Sequence, residues 1–255
     1  MRRSILSRKA VSALLVAGFW LVAWQIASLF FPKVLFAGPA PTVQSLLSIL
    51  QTSAAWLAIG HTLLKITVGF LAAFVLGCAL AALCHRFSFV RMLLEPVVQV
   101  MKSVPVACFV VVALIWLRSA HISVLTAFFV VFPVTYINVL QGLSQTDEKL
   151  LEMAAVFQFS ARKRLRAIYL PALAPYVISC CKVTVGMALK GGIAGEIIGL
   201  PTSSIGEQLY LSKLYLEVGD LFAWSIIIIG ISILLEKLLV RMLNALQTGM
   251  EVSCD

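Results

Sequence analysis

Apolar residues gather in six stretches along the chain, separated by short polar or charged segments. Crossing a bilayer takes about 20 consecutive apolar residues, because the hydrocarbon core is about 30 Å thick and a helix rises 1.5 Å per residue. The six stretches are about Val11–Phe31, His61–Leu83, Val104–Leu117, Ile122–Leu140, Pro171–Ile198 and Leu221–Leu243. The third is short unless it begins near Val97. The pattern predicts an all-α membrane protein with six transmembrane helices.

Two shorter segments are expected to form helices outside the spans. Thr42–Thr52 is amphipathic and follows Gly38-Pro39-Ala40-Pro41, a run that stops the first span. Ile205–Leu216 has apolar residues at helical spacing, which suits a helix lying at the outer interface. The first span is expected to be retained, because it exceeds the 7–15 apolar residues of a cleaved signal peptide.

Composition supports a membrane location. Hydrophobic residues make up 61% of the 255 residues and charged residues 12%, against roughly 45–50% and about 25% in soluble domains. The net charge of +9 does not call for a nucleic-acid partner, since cytoplasmic loops of membrane proteins collect Lys and Arg. Placing both termini in the cytoplasm puts fourteen Lys and Arg residues inside and three outside, namely Lys33, Arg118 and Lys213. We therefore predict six spans with cytoplasmic N- and C-termini.

Small residues recur every four positions along the second and fifth spans. Such spacing lets another helix backbone approach closely, which drives helix association in lipid. The positions are Gly69, Ala73, Gly77 and Ala81, followed by Gly191, Gly195 and Gly199. The alternative is that membrane helices are simply rich in Gly and Ala. In either case these helices are expected inside a bundle.

The longest cytoplasmic loop, at about residues 145–170, contains a short predicted helix with an exposed apolar face. This helix is placed at Glu152–Ser160, with Met153 and Phe157 on its apolar side. In water such a face needs a covering partner. The basic run that follows, Arg162 to Arg166, could instead rest on anionic lipid headgroups.

The loop resembles the EAA motif of ABC-importer permeases, in which a Glu-x-Ala element precedes Ile-x-Leu-Pro. The matching positions are Glu152, Ala154, Ile168, Leu170 and Pro171. Two further segments, Lys102–Pro105 and Ala194–Gly199, are similar to the nitrate/sulfonate/taurine (NitT/TauT) branch of that family. One departure is Gln158, where the family usually has Gly. Because Gln adopts a positive φ reluctantly, we expect either a different turn or a helix that continues through this position.

The resemblance implies a type I importer permease bundle, with residues 1–255 forming one transmembrane domain. It also implies a pair of ATPase subunits, a second permease copy in a homodimer, an extracytoplasmic binding protein and the cell membrane of a prokaryote. The ATPase-coupling residues would be Glu152, Met153, Ala154, Val156, Phe157, Gln158 and Ser160. ATP and Mg²⁺ would bind the partner, since the chain lacks a G-x-x-x-x-G-K-[ST] phosphate loop. The implied cargo is a small anion such as a sulfonate, taurine or nitrate.

The fifth span carries charges that are costly in a bilayer. An ionised residue at the membrane centre costs about 2.5–3.5 kcal/mol on insertion scales, so it normally faces a cavity or a partner. Lys190, Gly186 and Glu196 are therefore candidates for the translocation path. The alternative is that Lys190 neutralises Glu196 through a neighbouring helix. Lys182 lies near the cytoplasmic end, where it can reach the headgroups.

Two other functions are compatible with this membrane chain. One is the transmembrane coupling component of a vitamin or thiamine-precursor importer, although its paired Ala-Arg-Gly motifs are missing. The other is a lipid-modifying membrane enzyme, which would need converging polar side chains. The sequence has no H-E-x-x-H or G-x-S-x-G motif, and its three histidines are scattered. We therefore expect no catalytic, metal or cofactor site of its own.

Overall fold

The computed structural model describes residues 2–32 and 34–252, with side chains described for residues 11–12, 14–32 and 34–243. These residues are almost entirely helical, and no strand occurs among them. The chain forms two compact units, Met1–Leu57 with Gln208–Ile229, and Ala58–Glu207 with Gly230–Asp255.

Eleven α-helices are found in the described ranges. They are α1 (Arg2–Phe30), α2 (Pro39–Gln51), α3 (Ser53–Arg86), α4 (Ser88–Ser103), α5 (Val106–Ala113), α6 (Ile122–Ser144), α7 (Glu148–Val156), α8 (Ala161–Arg164), α9 (Leu170–Gly199), α10 (Ile205–Leu214) and α11 (Val218–Val252). A 3₁₀ turn, Ser119–His121, precedes α6, and a π-helical turn, Leu165–Tyr169, joins α8 to α9.

Four helical segments of the described chain are long and apolar enough to cross a membrane: Ser53–Arg86, Ser119–Ser144, Ala161–Gly199 and Val218–Leu243. A fifth is obtained if the broken pair α4–α5 counts as one span. The apolar part of α1, Leu14–Phe30, is shorter than the others. The all-helical membrane architecture is thus confirmed at the level of four or five spans.

The predicted third span, Val104–Leu117, is not one continuous helix. The chain bends by 104° between α4 and α5, and α5 has only eight residues. At about 1.5 Å per residue, such a helix is too short to cross the hydrocarbon core. The break lies at Pro105, whose ring disfavours helical geometry at the preceding residue, and Val104 is extended with φ −76° and ψ 125°.

Helix α6 packs against both helices that carry the small-residue stripes. On α3, Ala73 and Ala81 are fully buried, and a Cβ at Gly69 would strike the carbonyl oxygen of Val124. On α9, a Cβ at Gly195 would lie 2.6 Å from the Thr126 hydroxyl. Side chains of α6 likewise crowd Gly77, Gly191 and Gly199. Because glycine has no side chain, these positions permit close helix contact, as small residues do in membrane bundles.

The first unit is held by aromatic residues around Phe222 of α11. Its ring centroid lies 5.8 Å from that of Trp24 and 5.4 Å from that of Phe36. The Trp24 indole donates a 3.0 Å hydrogen bond to the carbonyl of Ala37, which fixes the connection between α1 and α2. The predicted helix at Ile205–Leu216 is observed as α10, and Ile205 at its start is buried.

Candidate functional site

The carboxylate of Glu196, near the end of α9, is the most completely buried charged group among the described residues, with 0% of the residue exposed. Oε1 accepts a 2.8 Å hydrogen bond from the Ser123 hydroxyl of α6. Oε2 accepts from the Thr62 hydroxyl of α3 at 2.9 Å and from the backbone N–H of Gly206 at 3.2 Å. One side chain thus joins three helices and the segment that follows α9.

That segment folds back tightly onto α9. Leu200 and Ser203 have positive φ values of 48° and 55°, which reverse the chain after the helix. The Thr62 hydroxyl also accepts a 3.0 Å hydrogen bond from the N–H of Ile205. At Gly206 any Cβ would overlap the Glu196 side chain and backbone, so the close approach requires glycine.

The three predicted path residues are not brought together. Glu196 is buried and held by three neutral donors, so the prediction that it faces an open path does not hold within this chain. Lys190 is exposed and forms no ion pair with Glu196 among the described residues. Gly186 has open space where a Cβ would point. Within this chain the carboxylate accepts hydrogen bonds from hydroxyl and amide donors, in place of the suggested neutralisation by Lys190.

The sequence reasoning missed Thr62 and Ser123 as partners of Glu196. Each is a hydroxyl in a strongly apolar span, and both are fully buried. A buried hydroxyl needs a hydrogen-bond partner, and that need was the signal available from the sequence. It does not identify the partner, which lies 134 residues from Thr62 and 73 from Ser123.

The predicted coupling segment contains a helix that is shifted toward the N-terminus. Helix α7 runs from Glu148 to Val156, rather than from Glu152 to Ser160. Asp147 caps it by accepting a 2.9 Å hydrogen bond from the N–H of Lys149, and Glu148 suits the positive end of the helix dipole. The boundary error arises because the Asp147 cap, and not the later apolar residues, sets the start.

The apolar side of this segment is open. Val156 is 79% exposed and Phe157 68%, whereas Ala154 is 2% exposed and faces the protein. Met153 and Glu152 are also exposed. The predicted coupling residues thus present one apolar patch, formed by Met153, Val156 and Phe157, beside an acidic side chain.

Helix α7 ends in a Schellman motif with Gln158 in the position that normally holds glycine. Gln158 has φ 49°, its N–H donates to the carbonyl of Ala155, and the N–H of Phe159 donates to that of Ala154 at 2.9 Å. Both predicted outcomes are therefore wrong: the glycine-type turn is kept, and Gln158 adopts the left-handed conformation itself. Ser160 then caps α8 through the N–H of Lys163.

No group of three or more His, Cys, Asp or Glu side chains in the described part of the chain could hold a metal ion.

Residues 66–251 match the family model described as "Binding-protein-dependent transport system inner membrane component". The chain belongs to this family. The match covers α6, the coupling segment and α9, so the packing described above is that of a family member. The fold is therefore that of an integral membrane permease component of an ABC importer, and the family implies an ATPase and a binding protein as partners.

Individual relatives agree with the family match. A probable ABC transporter permease protein of Haemophilus influenzae is 26% identical over 231 residues, 89% of this chain and 93% of the relative. The putative aliphatic sulfonates transport permease protein SsuC of Bacillus subtilis is 27% identical over 66% of this chain and 62% of the relative. The nitrate import permease protein NrtB of Synechocystis is 27% identical over 54% and 50%. The last two matches thus cover less than two thirds of the relatives' length.

Proposed function

We propose that this permease forms the translocation path for a small oxyanion delivered by an extracytoplasmic binding protein. The proposal that the solute is an anion is supported by the similarity to permeases named for aliphatic sulfonates, nitrate and bicarbonate. Nitrate, bicarbonate and the sulfonate group are small, and each carries a negative charge that is delocalised over several oxygen atoms. Neither the vitamin importer nor the lipid-modifying enzyme is favoured by these relatives.

In this proposal the apolar patch of Met153, Val156 and Phe157 docks on the ATPase, with Glu152 at its edge. Large apolar side chains exposed to the cytosol need a covering surface, and ATP-driven motion of that surface would be passed into α9 through the π-helical turn. ATP and Mg²⁺ bind the ATPase, and the permease itself carries no cofactor or catalytic residue.

The proposed topology has six membrane crossings, with the broken pair α4–α5 and helix α1 supplying two of them and both termini cytoplasmic. Two copies of the chain form a homodimer in the cell membrane of a prokaryote. This arrangement agrees with the predominance of Lys and Arg in the segments placed inside.

The docking proposal is tested by placing a charge in the patch. We expect Val156→Asp to reduce recovery of the co-expressed ATPase with the tagged permease by about tenfold, because burying one unpaired carboxylate at an interface costs more than 1.4 kcal/mol. The matched control is Val34→Asp, which makes the same change at another exposed valine outside the coupling loop.

Substrate-stimulated ATP hydrolysis should fall with ATPase recovery in Val156→Asp and stay near wild type in Val34→Asp. Equal recovery and equal ATPase stimulation in both variants would show that the patch does not contact the motor.

A further inference from the structure

Helix α4 carries a charged face beside an open cavity, and the family assignment does not explain it. Arg91, Glu95, Gln99 and Lys102 follow one another at steps of four, four and three residues, which places them on one side of the helix. All four are exposed within the chain. Apolar residues such as Leu93, Val97 and Val100 occupy the remaining surface.

The charged face lines a cavity of about 410 Å³ between α4 and the second half of α6. The α6 wall includes Tyr136, Gln141 and Ser144. Arg91, Glu95 and Gln99 also border an open surface depression that is lined by residues of α4 alone. Cavities of this size accommodate small solutes.

Three physical arguments favour an anion in the cavity. Two cations face one carboxylate, so the lining has a positive excess. Arg91 precedes Glu95 by four residues, which is the weaker order for an ion pair on a helix. No ion pair forms between them within the described residues, so the Arg91 guanidinium is available to bind an anion. A guanidinium matches the planar oxygens of an oxyanion, and the Gln99 and Gln141 amides add N–H donors.

The position of the cavity in the fold suits a translocation path. The charge count above placed Arg91 and Lys102 with the cytoplasmic segments, but both lie on α4, which counts toward a membrane span together with α5. Charged side chains in such a segment normally face a water-filled cavity, and non-helical backbone at membrane depth is tolerated where it lines one. Helix α4 ends at the 104° break before α5, so the charged face leads to a discontinuous helix, a feature that transporters use at substrate sites.

We propose that Arg91, Lys102, Gln99 and Gln141 form a binding site for a small oxyanion on the translocation path, with Glu95 limiting its affinity so that the solute can leave. This inference rests on the proposed function for the identity of the solute. An anionic lipid headgroup shares the same chemistry, and the test below separates the two sources.

The site is tested by measuring the local potential at position 99. Gln99→Cys is made in a chain whose native cysteines are replaced, and the full permease–ATPase complex is placed in nanodiscs of zwitterionic phosphatidylcholine. We measure modification rates with an anionic sulfonatoethyl and a cationic trimethylammonium-ethyl methanethiosulfonate. The reference is a chain that keeps only Cys108, which is exposed on α5 and does not line the cavity.

Relative to Cys108, the anionic reagent should react about tenfold faster than the cationic one at position 99, because a positive cavity concentrates anions. Adding Arg91→Gln and Lys102→Gln should bring the ratio to that of Cys108, whereas Lys182→Gln, which removes an exposed charge elsewhere, should not. Nitrate should slow the anionic reagent more than chloride at equal ionic strength. A ratio equal to that of Cys108, or one unchanged by the double variant, would overturn the site.

Nanodiscs containing phosphatidylglycerol distinguish the lipid source. If this lipid protects position 99 and nitrate does not, a headgroup occupies the cavity and the solute site is wrong.

Uptake kinetics of the complex with its native cysteines give a second measurement. The double variant Arg91→Gln/Lys102→Gln should raise the half-saturating anion concentration or lower the uptake rate, while Arg91→Lys should retain more uptake activity. Normal uptake by the double variant would reject the site but keep the proposed function. If position 99 shows the predicted reactivity but the wild-type complex takes up no anion, the site stands and the proposed solute is wrong.

Discussion

Replacing Glu196 separates a structural role of its carboxylate from a role of its charge in transport. Glu196→Ala leaves three buried donors without an acceptor: the hydroxyls of Thr62 and Ser123 and the N–H of Gly206. One unsatisfied buried donor costs about 1–3 kcal/mol. Since the hydroxyls can turn toward other acceptors, we expect the free energy of unfolding to fall by about 3 kcal/mol, the lower end of the sum over the three donors.

Glu196→Gln has a different expected outcome because the geometry can be kept. The amide oxygen can accept from Thr62 and Gly206, while the amide nitrogen donates to Ser123, whose hydroxyl also accepts. We therefore expect a loss of about 1 kcal/mol or less. The assay is the apparent unfolding temperature of each purified variant in one detergent, followed by anion uptake per folded complex.

The reasoning predicts a large drop in unfolding temperature for Glu196→Ala and near-normal stability and uptake for Glu196→Gln. A Gln variant as unstable as the Ala variant would refute the hydrogen-bond account. A stable Gln variant without uptake would show that the negative charge itself acts in transport.

Two further predictions concern glycine geometry. Gly69→Ala should destabilise the purified chain by about 1–3 kcal/mol, because its Cβ meets the Val124 carbonyl. The control Gly60→Ala, which has open space around its Cβ, should be neutral or stabilising. Equal unfolding temperatures of the two variants would contradict this packing. Gln158→Gly should relieve a left-handed conformation worth about 1 kcal/mol and slow hydrogen exchange at the N–H of Phe159, while Gln158→Ala should not. Unchanged exchange in the glycine variant would show that the turn is unstrained.

The long apolar segments were predictable because each contains its own signal. The positions of α3, α6, α9 and α11 follow from long apolar runs, although α3 and α11 extend beyond the predicted His61–Leu83 and Leu221–Leu243. The stripe at Gly69 and Gly77 indicated helix contact from spacing alone. The small-residue pattern could not name the neighbour, because α6 presents ordinary side chains such as Thr126 and Thr135 to the two stripes.

Other features depend on contacts that lie far apart in sequence. The apolar run around Pro105 gives no measure of a 104° bend, and it was interpreted as one span. The Glu196 network needs α3, α6 and the segment after α9 to be assembled before its donors meet. Gln158 has a low intrinsic preference for positive φ, which the two hydrogen bonds of the Schellman motif overcome.

ATP-driven anion import is the central claim, and reconstitution tests it most directly. The permease, its ATPase and its binding protein are placed in proteoliposomes, and labelled nitrate, bicarbonate or an aliphatic sulfonate is offered on the side of the binding protein. We predict accumulation of at least one of these anions that requires ATP, all three components and an intact Val156. No ATP-dependent accumulation of any of the three, while a non-anionic solute is imported by the same complex, would contradict the account.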